Sequence, residues 1–324
     1  MSIEQKEKTV EVLQDEPIIG TSPEAKRMRR ALKKLAKIDS NVLIHGEPGV
    51  GKEFLARHIH MSSARRNRSF VRINCGSLGK TIDQKTLFGE ELEGDSAVTR
   101  TVGLLEKAHK GVLYLDNISK LNQEFQEELL SVLGDGKFRK IGGRTSIDLD
   151  VRVISTDEED VTALVERGVF SRELYHILNA LTLRIPSLRE HKQDVPELFN
   201  YFLNKFSAEN NRELPPIDAE IFESILEYDW KGNVKELENT VQNLVVMSPE
   251  GELSSEFLPF KIKKHPFDFL EPRNLKGIVS DVEIYLIKKA LNKFGGNQVK
   301  AAKLLGIPEA TLRFKMKKYG LPKE

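Results

Sequence analysis

Short apolar runs alternate with helical patterns over the first half of the chain. The runs lie at residues 42–44, 70–73, 112–115, 151–154 and 181–183. Strands that are apolar on both faces and separated by helical segments are typical of a parallel sheet with flanking helices. The pattern therefore predicts an α/β subdomain at residues 17–190.

A purely helical pattern follows at residues 191–260 and predicts a small all-α subdomain. Asp194 is a candidate N-cap for its first helix, in which apolar residues recur at helical spacing as far as Phe206. Asn233 is a candidate cap for a later helix, whose apolar face holds Val234, Leu237, Val241 and Leu244.

Two segments lack a periodic pattern. Residues 1–16 are rich in charge, and we expect a mobile tail there. Residues 261–278 combine mixed charge with two prolines, which favours a linker.

Helical periodicity returns at residues 279–324. The first helix there carries Val282, Leu286, Ile287 and Leu291, and it stops at Gly295 and Gly296. Asn297 would cap a second helix with Val299, Ala302 and Leu305 facing inward, and Pro308 would open a third with Leu312 and Met316. Two short helices around a glycine turn indicate an all-α helix-turn-helix domain, whose second helix enters the major groove of DNA.

The charge distribution agrees with a nucleic-acid partner. The whole chain has a net charge of +1, but residues 279–324 hold ten Lys and Arg against four Asp and Glu, a local charge of +6. Contact with the phosphates of double-stranded DNA is the natural use of that surplus. A three-helix oligomerisation segment with a solvated basic surface is the alternative.

The cysteine count and the length of the apolar runs bear on the cellular compartment of the protein. The chain has one cysteine and no apolar run of the roughly 18 residues that a transmembrane helix requires. We therefore expect no disulfide framework, no membrane partner and a cytoplasmic location.

A glycine-rich loop links the first predicted strand to a helical run. It reads Gly46-Glu47-Pro48-Gly49-Val50-Gly51-Lys52, and Glu53 follows it. Glycines let backbone N–H groups face the phosphates of ATP or ADP, and the lysine supplies a positive charge for the outer phosphates. Glu53 replaces the usual Ser or Thr, so the loop lacks a hydroxyl ligand for Mg²⁺.

Asp116 ends the third apolar run and is the candidate Mg²⁺ ligand. Enzymes of this type usually carry Glu at the next position, where it polarises the attacking water, but this chain has Asn117. A carboxamide positions water without accepting its proton. Loss of a general base costs roughly 10²–10⁴ in rate.

Several stretches carry a family resemblance, among them IIGTSPEAKRMR, VLIHGEPGVGKEFLARHIH, FVRINCGSL, PSLREHKQDVPEL and WKGNVKELEN. From about residue 17 to residue 245 the chain resembles the AAA+ module of bacterial enhancer-binding proteins of the nitrogen-regulatory-protein-C class, which activate sigma-54 RNA polymerase. In that family Glu also follows the lysine of the glycine-rich loop, so the resemblance accounts for Glu53. It also implies that Asn74 couples the γ-phosphate to the polymerase-facing loops and that Lys235 replaces a lid arginine at the nucleotide.

The polymerase-contacting loop departs from this family. The family sequence Gly-Ala-Phe-Thr-Gly-Ala is absent, the segment is about one residue shorter, and no aromatic residue lies between Phe88 and Tyr114. An exposed aromatic tip is the part that could bury area on the sigma factor. The departure therefore argues against remodelling of sigma-54 RNA polymerase.

Two arginines that reach a neighbour's ATP site in the family are also replaced. Ser171 and Ile177 occupy their positions, and Arg172 is a candidate displaced finger, rotated by about 100° if the segment is helical. In related chemistry a trans arginine is worth about 10³–10⁵ in turnover. The sensor strand ends Ser155-Thr156-Asp157-Glu158, which places carboxylates where the family has neutral polar residues.

Together these departures predict an oligomeric regulator that binds ATP or ADP but hydrolyses ATP slowly or not at all. With no receiver domain expected before residue 17, its input would be nucleotide or a separate protein. Two alternatives stay open. One is an active sigma-54-dependent activator ATPase that uses Arg172, and the other is a protein that joins the ring of a homologous enhancer-binding protein.

The segment GNQVKAAKLLGIPEATLRFKMKKYG closely resembles the Fis-type module that ends enhancer-binding proteins. The resemblance implies DNA contact by Thr311, Arg313, Lys315, Lys317 and Lys318. Glu309 stands where relatives often carry a basic residue, which would alter base preference. Readers of this kind usually pair as dimers, and the first helix, at residues 280–294, is the expected dimer surface.

Overall fold

The computed structural model describes residues 18–93, 98–213, 217, 219–248, 252–262 and 275–321. The tail predicted at residues 1–16 lies outside the described residues. The chain divides into two compact units, Met1–Phe260 and Lys261–Glu324. No helix within the described ranges is both long and apolar enough to span a membrane.

The first unit contains the predicted parallel sheet. Its five strands are β1 (Val42–His45), β2 (Phe70–Asn74), β5 (Val112–Asp116), β8 (Arg152–Asp157) and β9 (Leu181–Arg184). They lie in the order β2, β5, β8, β1, β9, and every neighbouring pair is parallel. All five predicted strands are confirmed, with ends that move by one to three residues.

Helices cover both faces of this sheet. They are α1 (Pro23–Leu35), α2 (Lys52–Met61), α3 (Gln84–Phe88), α4 (Leu104–Ala108), α5 (Gln123–Asp135), α6 (Val161–Glu166) and α7 (Arg172–Leu178). Alternate strand residues enter two apolar cores. Leu113 and Leu115 pack on one side with α3, α4 and α5, whereas Val112 and Tyr114 pack on the other with α1 and α2.

Two short hairpins project from the α/β core and were not predicted. One pairs β3 (Glu91–Glu93) with β4 (Val98–Arg100), and the other pairs β6 (Lys137–Arg139) with β7 (Ser146–Asp148). The first hairpin occupies the segment that matches the polymerase-contacting loop of the family.

The helical part of the first unit forms a lid over the sheet edge. It begins with a 3₁₀ segment, Leu188–Asp194, and continues with α8 (Val195–Glu209), α9 (Ala219–Glu227) and α10 (Asn233–Met247). Three residues of the predicted apolar face of α10 are confirmed, because Leu237, Val241 and Leu244 are fully buried, whereas Val234 is half-buried.

The two predicted lid caps have different outcomes. Asp194 is the N-cap residue of α8 as predicted, but it makes no side-chain cap bond, since its carboxylate accepts from the backbone and side chain of Ser22 at 2.8 and 2.5 Å. The predicted cap at Asn233 is wrong. The N-cap of α10 is Gly232, and Asn233 is the first helical residue with φ of +56°. In each case the polar side chain forms hydrogen bonds with a segment distant in sequence rather than with the end of its own helix.

The second unit contains three helices among its described residues, α11 (Leu275–Lys293), α12 (Gln298–Leu304) and α13 (Glu309–Lys318). Asn297 caps α12 as predicted, with its Oδ1 accepting from the backbone of Lys300 at 3.0 Å. The core of the unit consists of Ile287, Ala290, Ala301, Ala302, Leu312 and Met316.

Three predictions for this unit need correction. Val299 is 60% exposed, because the small residues Ala301 and Ala302 form the packed face of α12. Leu286 is 41% exposed rather than part of the core. Helix α11 begins at Leu275, so the last four residues of the predicted linker are helical, and residues 263–274 lie outside the described residues.

Candidate nucleotide site and DNA-binding helices

A cavity of about 960 Å³ lies between the carboxyl edge of the sheet and the lid. One end is apolar and is lined by Ile18, Leu198 and Phe202, and the other end holds the glycine-rich loop and Asp116. Ligands of open α/β sheets bind outside the carboxyl ends of the strands, so this is the expected position for a nucleotide.

Residues 46–52, here called the P-loop, join β1 to α2. Gly51 is the N-cap of α2 with φ of +94°, and Gly49 has φ of +78°. A Cβ on Gly49 would lie 2.2 Å from the carbonyl oxygen of Gly232 in the lid. Both glycines are therefore required by backbone conformation, and Gly49 also by the close approach of the lid.

The P-loop lysine is folded back onto its own loop. Lys52 is 8% exposed, and its Nζ donates to the carbonyl oxygens of Gly46 at 2.8 Å and Glu47 at 3.1 Å. The same Nζ lies 3.4 Å from Oε1 of Glu158, the last residue of the sensor segment. Two carbonyls and one carboxylate thus hold the ammonium at the phosphate end of the cavity.

Asp116 ends β5 and is held by three side chains. Its Oδ1 accepts from the hydroxyls of Thr156 at 2.9 Å and Tyr114 at 3.2 Å, and its Oδ2 accepts from Arg72 at 2.7 Å. Arg72 also lies 3.1 Å from Oε2 of Glu53, so one guanidinium bridges two carboxylates. Burial raises the pKa of the Tyr114 phenol above its usual range.

Asn117 follows Asp116 with φ of +59°. Its Oδ1 is buried and has no hydrogen-bond partner among the described residues. Asn117 lines the same cavity as Asp116 and Glu53, and an unpaired buried oxygen there suits a hydrated cation or an ordered water.

These donors fit Mg²⁺ bound together with a nucleotide. Mg²⁺ keeps several waters and takes one or two protein carboxylates plus substrate phosphates. Over the described ranges, no group of three or more His, Cys, Asp and Glu side chains could hold a metal alone. The metal would therefore depend on the phosphates for the rest of its coordination.

Asn74 ends β2 in register with Asp116. Its Oδ1 accepts from the backbone of Gly76 at 2.9 Å and so caps a short 3₁₀ turn, Cys75–Ser77. It is not among the residues that line the cavity. The structure thus places Asn74 beside the metal ligand candidate rather than facing the cavity.

The lid contacts the P-loop directly. The backbone N–H of Lys235 donates to the carbonyl oxygen of Gly49 at 3.1 Å, and the Lys235 side chain lines the cavity while pairing with Glu238 at 2.8 Å. Glu47 accepts from the Arg189 guanidinium at 2.7 Å, and this bond lowers the pKa of Glu47.

Asn233 is the central residue of this contact and is fully buried. Its Nδ2 donates to the carbonyl oxygen of Pro48 at 2.8 Å, and its Oδ1 accepts from the backbone of Leu188 at 2.8 Å. Sequence reasoning missed the roles of Arg72, Arg189 and Asn233, although each lies within a stretch that carries the family resemblance.

The two carboxylates of the sensor segment, Asp157 and Glu158, have different surroundings. Asp157 is 1% exposed, and its carboxylate accepts from the backbone of Ser119 at 2.5 Å, Glu158 at 2.7 Å and Glu159 at 2.8 Å. Only Glu158 of the two carboxylates lines the cavity.

The finger segment forms α7. Ser171 is its N-cap, with Oγ accepting from the backbone of Leu174 at 3.2 Å, and Arg172 is its first residue. Arg172 is exposed and lies outside the set of residues that line the cavity of its own chain. Ile177 is half-buried.

The DNA contact candidates lie on α13, on different sides of the helix. Arg313, Lys317 and Lys318 are exposed, and Arg313 pairs with Glu309 at 2.5 Å. Lys315 instead pairs with Glu283 of α11 at 2.6 Å and is 28% exposed.

Two further placements complete this surface. Thr311 is half-buried, and Phe314, which was not predicted, is 68% exposed between the basic residues. Among the described residues of this unit, Phe314 does not belong to the packed core.

Comparisons with known proteins agree with this geometry. Residues 18–184 match the sigma-54 interaction domain, residues 189–269 match an AAA+ ATPase lid domain, and residues 278–319 match the bacterial regulatory protein family of the Fis type. The three matches cover the α/β part, the lid and the helix-turn-helix in order.

Full-length relatives and solved structures extend these matches. The chain is 35% identical over 312 residues to the regulatory protein AtoC of Escherichia coli, covering 94% of this chain and 68% of that protein. It is 37% identical to a signal-transduction and transcriptional-control protein of Clostridium beijerinckii, of which it spans 48%. Crystal structures of NtrX from Brucella abortus with ADP and with ATP superpose with a TM-score of 0.71 at 28% identity, covering 98% of this chain and 73% of that one.

The family matches, the relatives and the arrangement of P-loop, lid and C-terminal helices all lead to the same assignment. This chain belongs to the sigma-54 enhancer-binding family of transcription regulators, with a nucleotide-binding AAA+ module and a Fis-type DNA-binding domain.

Proposed function

We propose that this regulator binds ATP or ADP with Mg²⁺ as a conformational or assembly signal and hydrolyses ATP slowly. The observation that carries the proposal is Asn117, whose Oδ1 is buried beside Asp116 without a described partner. The carboxamide can orient a water there, but it cannot take the proton that attack on the γ-phosphate releases. The missing base would lower turnover by roughly 10²–10⁴.

The finger segment supports the same proposal. The Ser171 side chain caps α7, and Arg172 is the first residue of that helix and is exposed. An arginine that must reach a neighbouring ATP site needs a defined direction, and a shift of one residue turns it by about 100°. Absence of a trans arginine would remove a further factor of about 10³–10⁵.

Nucleotide binding itself is supported by the intact parts of the site. The P-loop offers its N–H groups and Lys52, and the apolar end of the cavity suits a base. Asp116 and Glu53 would hold Mg²⁺, which supplies charge neutralisation between the phosphates when it is bound. Lys235 would contact the phosphates from the lid as a point charge without the fork of an arginine.

The composition of the β3–β4 hairpin supports the proposal that this chain acts only weakly on sigma-54 RNA polymerase. Its described residues present Leu92, 52% exposed, and charged side chains, and the sequence holds no aromatic residue at the tip. The finer proposal is therefore a repressor or co-regulator, acting on DNA as a dimer through α11 and through AAA+ contacts with its own copies or a homologous relative.

A working sigma-54-dependent activator is the second candidate. It is favoured by Arg172, which is exposed and forms no ion pair with the described residues, so that it remains available to a neighbouring subunit. The two candidates differ in the rate of ATP turnover.

The deciding experiment is steady-state phosphate release by the full chain, with nucleotide binding followed in parallel. Lys52→Ala serves as the blank. We expect ATP and ADP to bind with release far below the usual enzyme range of about 1 s⁻¹ or more. Turnover near 1 s⁻¹ would contradict the proposal and support the activator.

Two substitutions at Asn117 test whether the missing general base is what limits turnover. Asn117→Glu restores a base and should raise phosphate release at least about tenfold, whereas Asn117→Gln, equal in length but neutral, should not. Equal effects of the two substitutions would show that the missing carboxylate is not what limits turnover.

A further inference from the structure

We infer that Glu158 makes this site selective for a nucleoside diphosphate over the triphosphate. The inference rests on the proposed nucleotide-binding function and adds the preference between its two ligands. Glu158 places a carboxylate 3.4 Å from the Lys52 ammonium, in the region where the outermost phosphate would meet that lysine.

The position of Glu158 is fixed by the fold. Strand β8 pairs with β1, and the backbone of Gly46 donates to the carbonyl oxygen of Asp157 at 3.2 Å, which ties the end of β8 to the first P-loop residue. The buried Asp157 carboxylate then accepts from the backbone of Glu158 and Glu159 at 2.7 and 2.8 Å. The turn that carries Glu158 is therefore held beside Lys52.

The charges at the phosphate end are already paired within the protein. Lys52 faces Glu158, and Arg72 bridges Glu53 and Asp116. Arg72 thus occupies the carboxylates that Mg²⁺ would use with either nucleotide, whereas Glu158 occupies the lysine that a γ-phosphate would use. The Lys52–Glu158 pair is therefore the contact that separates the two nucleotides.

A diphosphate meets less of this competition. The P-loop N–H groups and the start of α2 cradle its two phosphates, and it brings no γ-phosphate beside Glu158. A γ-phosphate must instead displace Glu158 from Lys52 and then remain a few ångströms from its negative charge. Like charges at such separations in a partly buried site repel strongly, so the triphosphate should bind at least about tenfold more weakly.

The test measures Kd for ADP, ATP and a non-hydrolysable ATP analogue by calorimetry on the full chain with Mg²⁺. Glu158→Gln keeps the shape and removes the charge. We expect the affinity for ATP and its analogue to rise at least about tenfold, and the affinity for ADP to change by less than about threefold.

The matched control is Glu159→Gln. Glu159 is the next residue, pairs with Lys120 at 2.5 Å and does not line the cavity, so the same charge change there should leave both affinities as in the parent chain. Thermal unfolding of all three proteins checks that the substitutions preserve the fold.

Three outcomes would overturn the selectivity. They are equal affinities of the parent chain for ATP and ADP, an equal rise of both affinities in Glu158→Gln, and the same effect from Glu159→Gln. In each of these cases nucleotide binding persists and only the selectivity fails. If the parent chain and its variants bind neither nucleotide, the proposed nucleotide-binding function fails with it.

Discussion

Arg313 and Lys315 are two residues apart on α13, yet their side chains have different surroundings. Successive helical residues turn by about 100°, so the two side chains point roughly 200° apart. Arg313 stays on the exposed side near Glu309, whereas Lys315 reaches Glu283 of α11, which also accepts from Tyr319 at 2.6 Å. The Lys315 ammonium lowers the pKa of Glu283. A basic residue on a recognition helix is therefore not always available to DNA.

This difference predicts unequal effects on DNA binding. Arg313→Ala should weaken binding to a duplex selected from a random library and reduce the dependence of log Kd on log salt by about one unit if it contacts phosphate. Lys315→Ala should leave the salt slope nearly unchanged and lower thermal stability instead. The measurement is a fluorescence anisotropy titration at several salt concentrations.

Lys317→Ala provides a second exposed cation for comparison and should resemble Arg313→Ala. A larger loss of salt dependence for Lys315→Ala than for Arg313→Ala would contradict the assignment of faces.

The candidate nucleotide site was predictable where its residues are contiguous. The P-loop needs a strand, glycines and a lysine in one short segment, so the sequence revealed it fully, and Asp116 followed from its place at a strand end. The pairs Lys52–Glu158, Arg72–Asp116 and Glu47–Arg189 join residues far apart in sequence, and no spacing rule connects them.

At the scale of elements, burial explains which strands could be predicted. The sheet strands are apolar because both faces are covered, and β5 has no exposed residue. The hairpin strands are three residues long and half of their residues are charged, as in Glu91–Glu93 and Lys137–Arg139, so they carry neither an apolar run nor a long alternation. Their pairing depends on the chain reversal, which periodicity does not report.

The contact between lid and P-loop depends on one buried side chain, and this gives a second prediction. Asn233→Ala would leave the Leu188 N–H and the Pro48 carbonyl without their partners. It would also place alanine at φ of +56°. We expect a loss of about 2–4 kcal/mol in the free energy of unfolding, measured by urea denaturation.

Nucleotide affinity should fall in the same variant, because Pro48 and Gly49 belong to the P-loop that the lid holds. Asn204→Ala on the exposed side of α8 is the matched control and should cost less than about 0.5 kcal/mol. A stable Asn233→Ala protein with unchanged nucleotide affinity would show that the lid is held by other contacts.

At the scale of the whole molecule, an apolar stripe on α11 has no described cover. Leu275, Val279 and Leu286 are 76%, 47% and 41% exposed, and with Val282 they recur at intervals of four, three and four residues on one helical face. Such a stripe is the usual surface for pairing with another helix. It extends the predicted dimer surface at residues 280–294 toward the start of the helix.

The last prediction concerns this pairing. In the absence of nucleotide, the chain should sediment as a dimer, and the double substitution Val279→Glu with Leu286→Glu should give a monomer because it buries like charges across the interface. Each half of a dimeric reader contacts one half-site, and two half-sites lie about one helical turn apart. The variant should therefore lose at least about tenfold in affinity for a duplex with two half-sites while binding a single half-site as well as the parent does.

Val246→Glu, at a comparably exposed position on α10, is the control and should change neither the mass in sedimentation nor the DNA affinity. If the double variant remained a dimer, or if its affinity for one half-site fell as far as its affinity for two, α11 would not be the dimer surface.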